Sequence, residues 1–182
     1  MMKSKLSIAL TAILASSTTL FAQGVASSAG ILVKFQGGIG VDPVSNVNVN
    51  VTTGVTVVKN IVRGVNPAGQ IWVIADLKAT VKVDGRITVD GRGLVFGGGN
   101  TVGISLAPPA TPFNVFATLI CETAAPFTQF STNAVPLAAD GDFRIDDVLS
   151  PLPPSSCASP VLLIREAVGQ TWFAAGIPKI GN

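Results

Sequence analysis

Apolar and polar residues alternate along much of this chain with a period of two. Between Ala75 and Val83, in ADLKATVKV, residues Ala75, Leu77, Ala79, Val81 and Val83 fall on one side, and Asp76, Lys78, Thr80 and Lys82 on the other. That pattern predicts a half-buried antiparallel strand. The segment NVNVNV, Asn46 to Val51, alternates without a break, and VTVVKNIV, Val55 to Val62, follows a TTG turn signal. The two read as a hairpin or an extended arm. Further strand candidates are GILVKF, NTVGISL, FNVFATLICE, DFRIDDVL, PVLLIR and TWFAAGI. No stretch of helical length keeps a 3.6-residue apolar period free of Gly, Pro or β-branched interruptions. The expected fold is all-β, a single antiparallel sandwich or barrel-like domain of about ten short strands over residues 30–180. Leu77, Val81, Val83, Ile87, Val89, Leu119 and Ile164 are expected inside it.

The glycine-rich run VDGRITVDGRGLVFGGGN, Val83 to Asn100, could cradle a phosphate or simply turn corners. It lacks the G-x-G-x-x-G spacing and a following helix, and no GK followed by Ser or Thr occurs, so corners are the better reading. Residues facing each other across a hairpin must share a side of the sheet. A three-residue connection pairing Val83 with Ile87 and Val81 with Val89 satisfies that rule, whereas a two-residue turn at Asp84-Gly85 does not. DGRG, Asp90 to Gly93, then serves as a four-residue loop pairing Val89 with Leu94 and Ile87 with Phe96. GGGN forms one more corner. APPATP and SPLPPSSCASP read as Pro-rich connections.

Composition adds a location. MMKSKLSIALTAILASSTTLFAQG has basic residues at Lys3 and Lys5, a short apolar run and small residues near Ala22, the layout of a secretory signal peptide. The expected division is a signal peptide over 1–22 cut after Ala22, a flexible leader over 23–29 and the β domain over 30–180. Cleavage after Ala29 is the second choice, and a retained anchor is the competing reading. The apolar run is shorter than the roughly 20 residues of a spanning helix, so the mature chain is not expected to span a membrane. Lys3 and Lys5 depart with the leader, leaving ten of the twelve basic residues against ten acidic ones. With no net charge and no run of one sign, nucleic acid is not an expected partner. Charged residues make up 12% of the chain, about half the usual share, so the surface must expose many apolar atoms. Such a chain is expected to associate with itself or with a protein partner.

Two cysteines, Cys121 and Cys157, are expected to form a disulfide that pins the Pro-rich loop to the strand ending near Cys121. A metal site is the rival reading, but two thiols in a sequence with no histidine make a poor zinc site. The lack of histidine also removes Ser-His-Asp and Cys-His catalysis. Carboxylate chemistry remains, with Glu122, Asp140, Asp142, Asp146 and Asp147 as candidates. DGDFRIDD invites an acid pair or a calcium site, against a turn followed by a strand whose acids face water. Trp72 and Trp172 could form a sugar-stacking platform, but both lie in apolar runs and are expected in the core. Asn50-Val51-Thr52 is an N-glycosylation sequon, relevant only in a eukaryote. No catalytic residue, metal or cofactor is assigned.

The stretches FQGGIGVDPVS, IWVIADLKATVKVDGRITVDGRGLVFGGGNTVG and CASPVLLIREAVGQTWFAAGIPK resemble a group of exported bacterial all-β proteins of unassigned role. The resemblance implies export and brings no activity, ligand or catalytic residue. The functional expectation is a secreted, periplasmic or cell-surface β domain that acts by binding or association. A structural subunit of a surface fibre and a carboxylate enzyme are the alternatives.

Overall fold

The structure, a computed structural model, describes residues 30–107 and 111–179. The expected signal peptide over 1–22 and leader over 23–29 lie outside these residues, as do 108–110 of the APPATP loop and residues 180–182. Every ladder between named strands is antiparallel and no helix occurs among the described residues, so the all-β expectation holds.

In chain order the strands are β1 (Ile31–Gly40), β2 (Val44–Asn50), β3 (Gly54–Lys59), β4 (Trp72–Val73), β5 (Asp76–Lys82), β6 (Arg86–Arg92), β7 (Val95–Phe96) and β8 (Leu106–Ala107). They continue with β9 (Thr111–Pro112), β10 (Asn114–Ile120), β11 (Phe130–Ser131), β12 (Val135–Pro136), β13 (Phe143–Val148), β14 (Val161–Glu166) and β15 (Trp172–Pro178). The main sheet has the order β11-β10-β14-β15-β1-β5-β6-β13, with β12 also on β10, and it curls into a half-barrel. Its ends meet at one bridge, where Ser131 and Ser150 exchange backbone hydrogen bonds of 2.9 and 2.8 Å. Beside that bridge, Asp147 accepts from the Asn133 backbone N–H at 2.7 Å and its amide Nδ2 at 3.0 Å.

Period-two alternation explains the interior. The row Ile145–Val89–Ala79–Phe35 crosses β13, β6, β5 and β1 in register, and all four side chains are buried. Leu77, Val81, Ile87, Val89, Leu119 and Ile164 are all at most 2% exposed, as the pattern predicts. Val83 is not, being only half-buried, and Ala75 is exposed just ahead of β5. The β5–β6 hairpin does use a three-residue connection, but it comprises Val83, Asp84 and Gly85, pairing Val81 with Ile87 and Ala79 with Val89. Gly85, at φ +81°, closes it with a hydrogen bond to Lys82 O at 3.0 Å. A type I turn followed by a left-handed glycine puts that glycine last in the loop, which moves the register two residues from the expected one while keeping its parity.

Two other corners differ from expectation. Asp90, Gly91 and Arg92 are not a loop; they continue β6, all three paired to β5 and Asp90 and Gly91 also to β13. Gly91 lies opposite Phe143, whose ring occupies the space a side chain would need, and glycine within a strand often marks such an approach. The corner falls instead at Gly93, which has φ +62°. NTVGISL is mainly a turn; Gly103 has φ +84° and only Leu106 belongs to a strand.

Cys121 and Cys157 are joined in a disulfide across a sequence separation of 36, tying the end of β10 to the Pro-rich loop before β14. The outer face of β10 is covered as well, so every residue from Val115 to Ile120 is buried.

Candidate functional site

The β2–β3 hairpin stands apart from the half-barrel. It forms its own two-stranded sheet and makes no extensive contact with any other strand among the described residues. Its root is firmly held. Val41 is fully buried, bonding through its N–H to Phe173 O and through its C=O to Trp72 N. Asn60 donates to Asp42 O at 2.9 Å and accepts from Trp172 Nε1 at 3.0 Å. Ser45 adds an irregularity between the Val44–Lys59 and Asn46–Val58 pairs, a bulge that re-aims the strands beyond it.

Beyond that bulge the pairing is regular. Val47 faces Val57 and Val49 faces Val55, while Asn48 faces Thr56 and Asn46 faces Val58. Side chains on paired residues share a side of the sheet. One side of the arm is therefore all valine and the other carries asparagine, threonine and Val58. The valine side is bare, with exposures of 50% for Val47, 74% for Val49, 64% for Val55 and 54% for Val57. Val51, in the turn, is fully exposed. Asn50, the sequon asparagine, organises that turn by accepting from the N–H groups of Thr52 and Thr53 at 2.8 and 3.0 Å. No charged residue occurs from Val44 to Val58. Among the described residues both outer edges of the hairpin are unpaired.

The candidate acids serve separate local roles. Asp140 accepts from Asp142 N at 3.1 Å, and Asp142 accepts from Gly93 N at 3.0 Å, bracing two corners. Asp146 lies in β13 and is exposed. The Asn133 N–H groups hold the Asp147 carboxyl below its usual range. Glu122 is likewise lowered, chiefly by a hydrogen bond from Thr128. Among the described residues no three such side chains gather closely enough to hold a metal ion.

Both tryptophans are in the core. Trp72 stacks on Phe173 with ring centroids 4.0 Å apart and meets Phe96 and Phe113 at 4.2 and 5.4 Å. One side of this cluster floors a cleft of about 320 Å³ edged by Gln70, Glu166 and Thr171. Across the outer side of β1, β5, β6 and β13, Lys34, Lys78 and Arg144 line a shallow depression of about 390 Å³ with Thr80, Thr88 and Lys179. Basic residues are thus less evenly spread than their linear order implies, although Asp76 pairs with Lys78 at 3.0 Å and Asp90 with Arg92 at 3.2 Å.

Arg165 has no sequence signal for its role. Only 5% exposed, it donates to Gln129 Oε1 at 2.6 Å, Gln170 O at 2.7 Å and Thr118 Oγ1 at 3.3 Å, and sits over the Phe116 ring. Burial lowers its pKa. Neutral acceptors take the place of a carboxylate, and the charge pins the segment carrying Gln129 against the outer face of β10 and β14.

Comparison with family models, with curated proteins and with solved structures gives no match for this chain.

Proposed function

We propose that this is an exported, non-enzymatic β domain that acts by association, and that the β2–β3 arm is its contact surface. One observation carries the reading. A hairpin with a valine side and an asparagine side leaves a contiguous row of paired valines in water while the half-barrel buries a core of its own. Isolated two-stranded hairpins are marginally stable, and contiguous apolar exposure of this kind marks contact sites on soluble proteins. Export is supported by the leader pattern and by the Cys121–Cys157 bond, since such bonds persist in oxidising compartments.

The test is cross-linking in the producing cell, comparing wild type with Val49→Lys on the valine side and Asn48→Lys on the opposite side. Wild type and Asn48→Lys should give cross-linked adducts, and Val49→Lys should lose them. Adducts indifferent to both substitutions, or none with any variant, would refute the arm as contact surface. The fibre reading draws on a different feature, the two unpaired edges of the arm, which could each accept a strand from a neighbour. Open-ended polymers abolished by Thr56→Pro would favour it.

A further inference from the structure

Resting on the association reading, we infer that the occupant of the valine side is a second copy of the same arm, packed face to face about a two-fold axis. Three features of the arm favour this partner over others. First, a two-fold interface requires a patch that complements itself, and a ladder of paired valines with no charge from Val44 to Val58 meets that requirement without repulsion.

Second, the area is adequate. Val47, Val49, Val55 and Val57, with Val51 at the tip, at their observed exposures, present at most roughly 500 Å² per copy, so two such faces fully covered would bury up to roughly 1,000 Å², the minimum expected of a specific interface. Third, covering the face is what relieves the exposure. Pairing along an edge would extend the valine surface instead of removing it from water, whereas two sheets stacked about 10 Å apart interdigitate their side chains and exclude water from both. A lipid bilayer fits less well. The arm's strands have seven and six residues, against about 9–11 for a spanning strand, and no aromatic or basic residue lies at its tip to anchor at the interface. Asn46 and Asn48 on the other side stay in solvent in this arrangement.

The inference is tested by sedimentation velocity on the full chain, expressed with its own leader and purified, over a concentration series. Wild type should form a dimer that saturates without growing further. Val49→Lys brings two ammonium groups into the dry interface and should weaken dimerisation at least about tenfold, and Asn48→Lys should leave it unchanged. Hydrogen exchange on wild type gives a measure independent of any variant's folding: arm amides should exchange at least about tenfold more slowly in the dimer than in the dilute monomer. A monomer at all concentrations overturns the inference, and so does arm exchange that does not change with concentration. If the purified chain is monomeric while the cellular adducts still depend on Val49, the arm binds an unlike partner and only the association reading survives. Dimerisation insensitive to both substitutions, together with adducts insensitive to both, sinks both readings. Open-ended growth stopped by Thr56→Pro but not by Val49→Lys replaces face packing with edge pairing.

Discussion

Replacing Gly91 with alanine tests the register of β6 against β13 directly. The backbone there is ordinary extended strand, outside the positive-φ glycines, so alanine meets no conformational penalty and by itself restricts the unfolded chain, a gain of about 0.4–1 kcal/mol. Against that, the new methyl would stand 2.9 Å from Cδ1 of Phe143 and nearer still to Cε1 and Cζ, where carbon atoms settle at about 3.5–4.0 Å. Phe143 is 6% exposed and cannot swing freely into solvent. Overpacking of this kind costs about 1–3 kcal/mol, and three ring atoms in conflict place Gly91→Ala at the upper end, for a net loss of about 2 kcal/mol. Urea unfolding followed by the fluorescence of Trp72 and Trp172, both buried, should show a lower midpoint at an unchanged slope. The control is the same substitution in Phe143→Leu, where the conflict is gone and alanine should be neutral or slightly stabilising, a coupling of at least about 1 kcal/mol. Equal effects of Gly91→Ala in both backgrounds would falsify the account.

Removing the Cys121–Cys157 bond by reduction should lower stability by about 3–4 kcal/mol, the chain-entropy figure for a loop of this length, and neither thiol should alkylate before reduction. Arg165→Ala leaves Gln129 and the Gln170 carbonyl without their donor, so a loss of about 2–3 kcal/mol is expected by chemical denaturation, and Arg165→Lys, with its single-point charge, should recover only part of it. Asp147 is held below its ordinary pKa by the Asn133 N–H groups. Its contribution is therefore present above the unfolded carboxylate pKa and lost as pH falls through the lower folded value. Stability measured from pH 6 down to 2 should fall in that acid range, and Asp147→Asn should flatten the fall; an identical acid limb in the variant would remove Asp147 from the account.

Local alternation was enough to identify β5 and the first part of β6, as far as Val89, because each buries one side and wets the other, and the valine–asparagine hairpin announced itself the same way. The cysteine pair was legible by elimination, with histidine absent and two thiols present. Gly91 was not legible. An Asp-Gly pair is a turn signal in any sequence window, and what keeps this one in a strand is Phe143, a distant residue that meets it only once β13 is in place. The same holds for Arg165, which ends an apolar run and reads as a surface charge until the segment carrying Gln129 closes over it. Val83 was misplaced by a single geometric fact, that the left-handed glycine comes last in a three-residue hairpin loop. Whether the arm lies on the body or stands away from it cannot be encoded by period two at all, since a covered valine side and a bare one alternate identically.

The division of labour between body and arm follows from where the constraints fall. In the half-barrel, the disulfide, the Ser131–Ser150 bridge, the Asp147–Asn133 contacts and the aromatic cluster around Trp72 all oppose opening. Among the described residues the arm has none of these beyond its root. Past Ser45 it is held by its own ladder and by the Asn50 turn, so its free energy of opening must be far below that of the body. A partner that binds only the closed hairpin would stabilise it by mass action. On the association reading, the bulge at Ser45 and the Asn60–Trp172 bond set the direction in which the valine side is presented. Weakening the root should therefore disorder the arm's orientation and slow association without exposing the core, whereas substitution on the valine side should abolish association with the root intact.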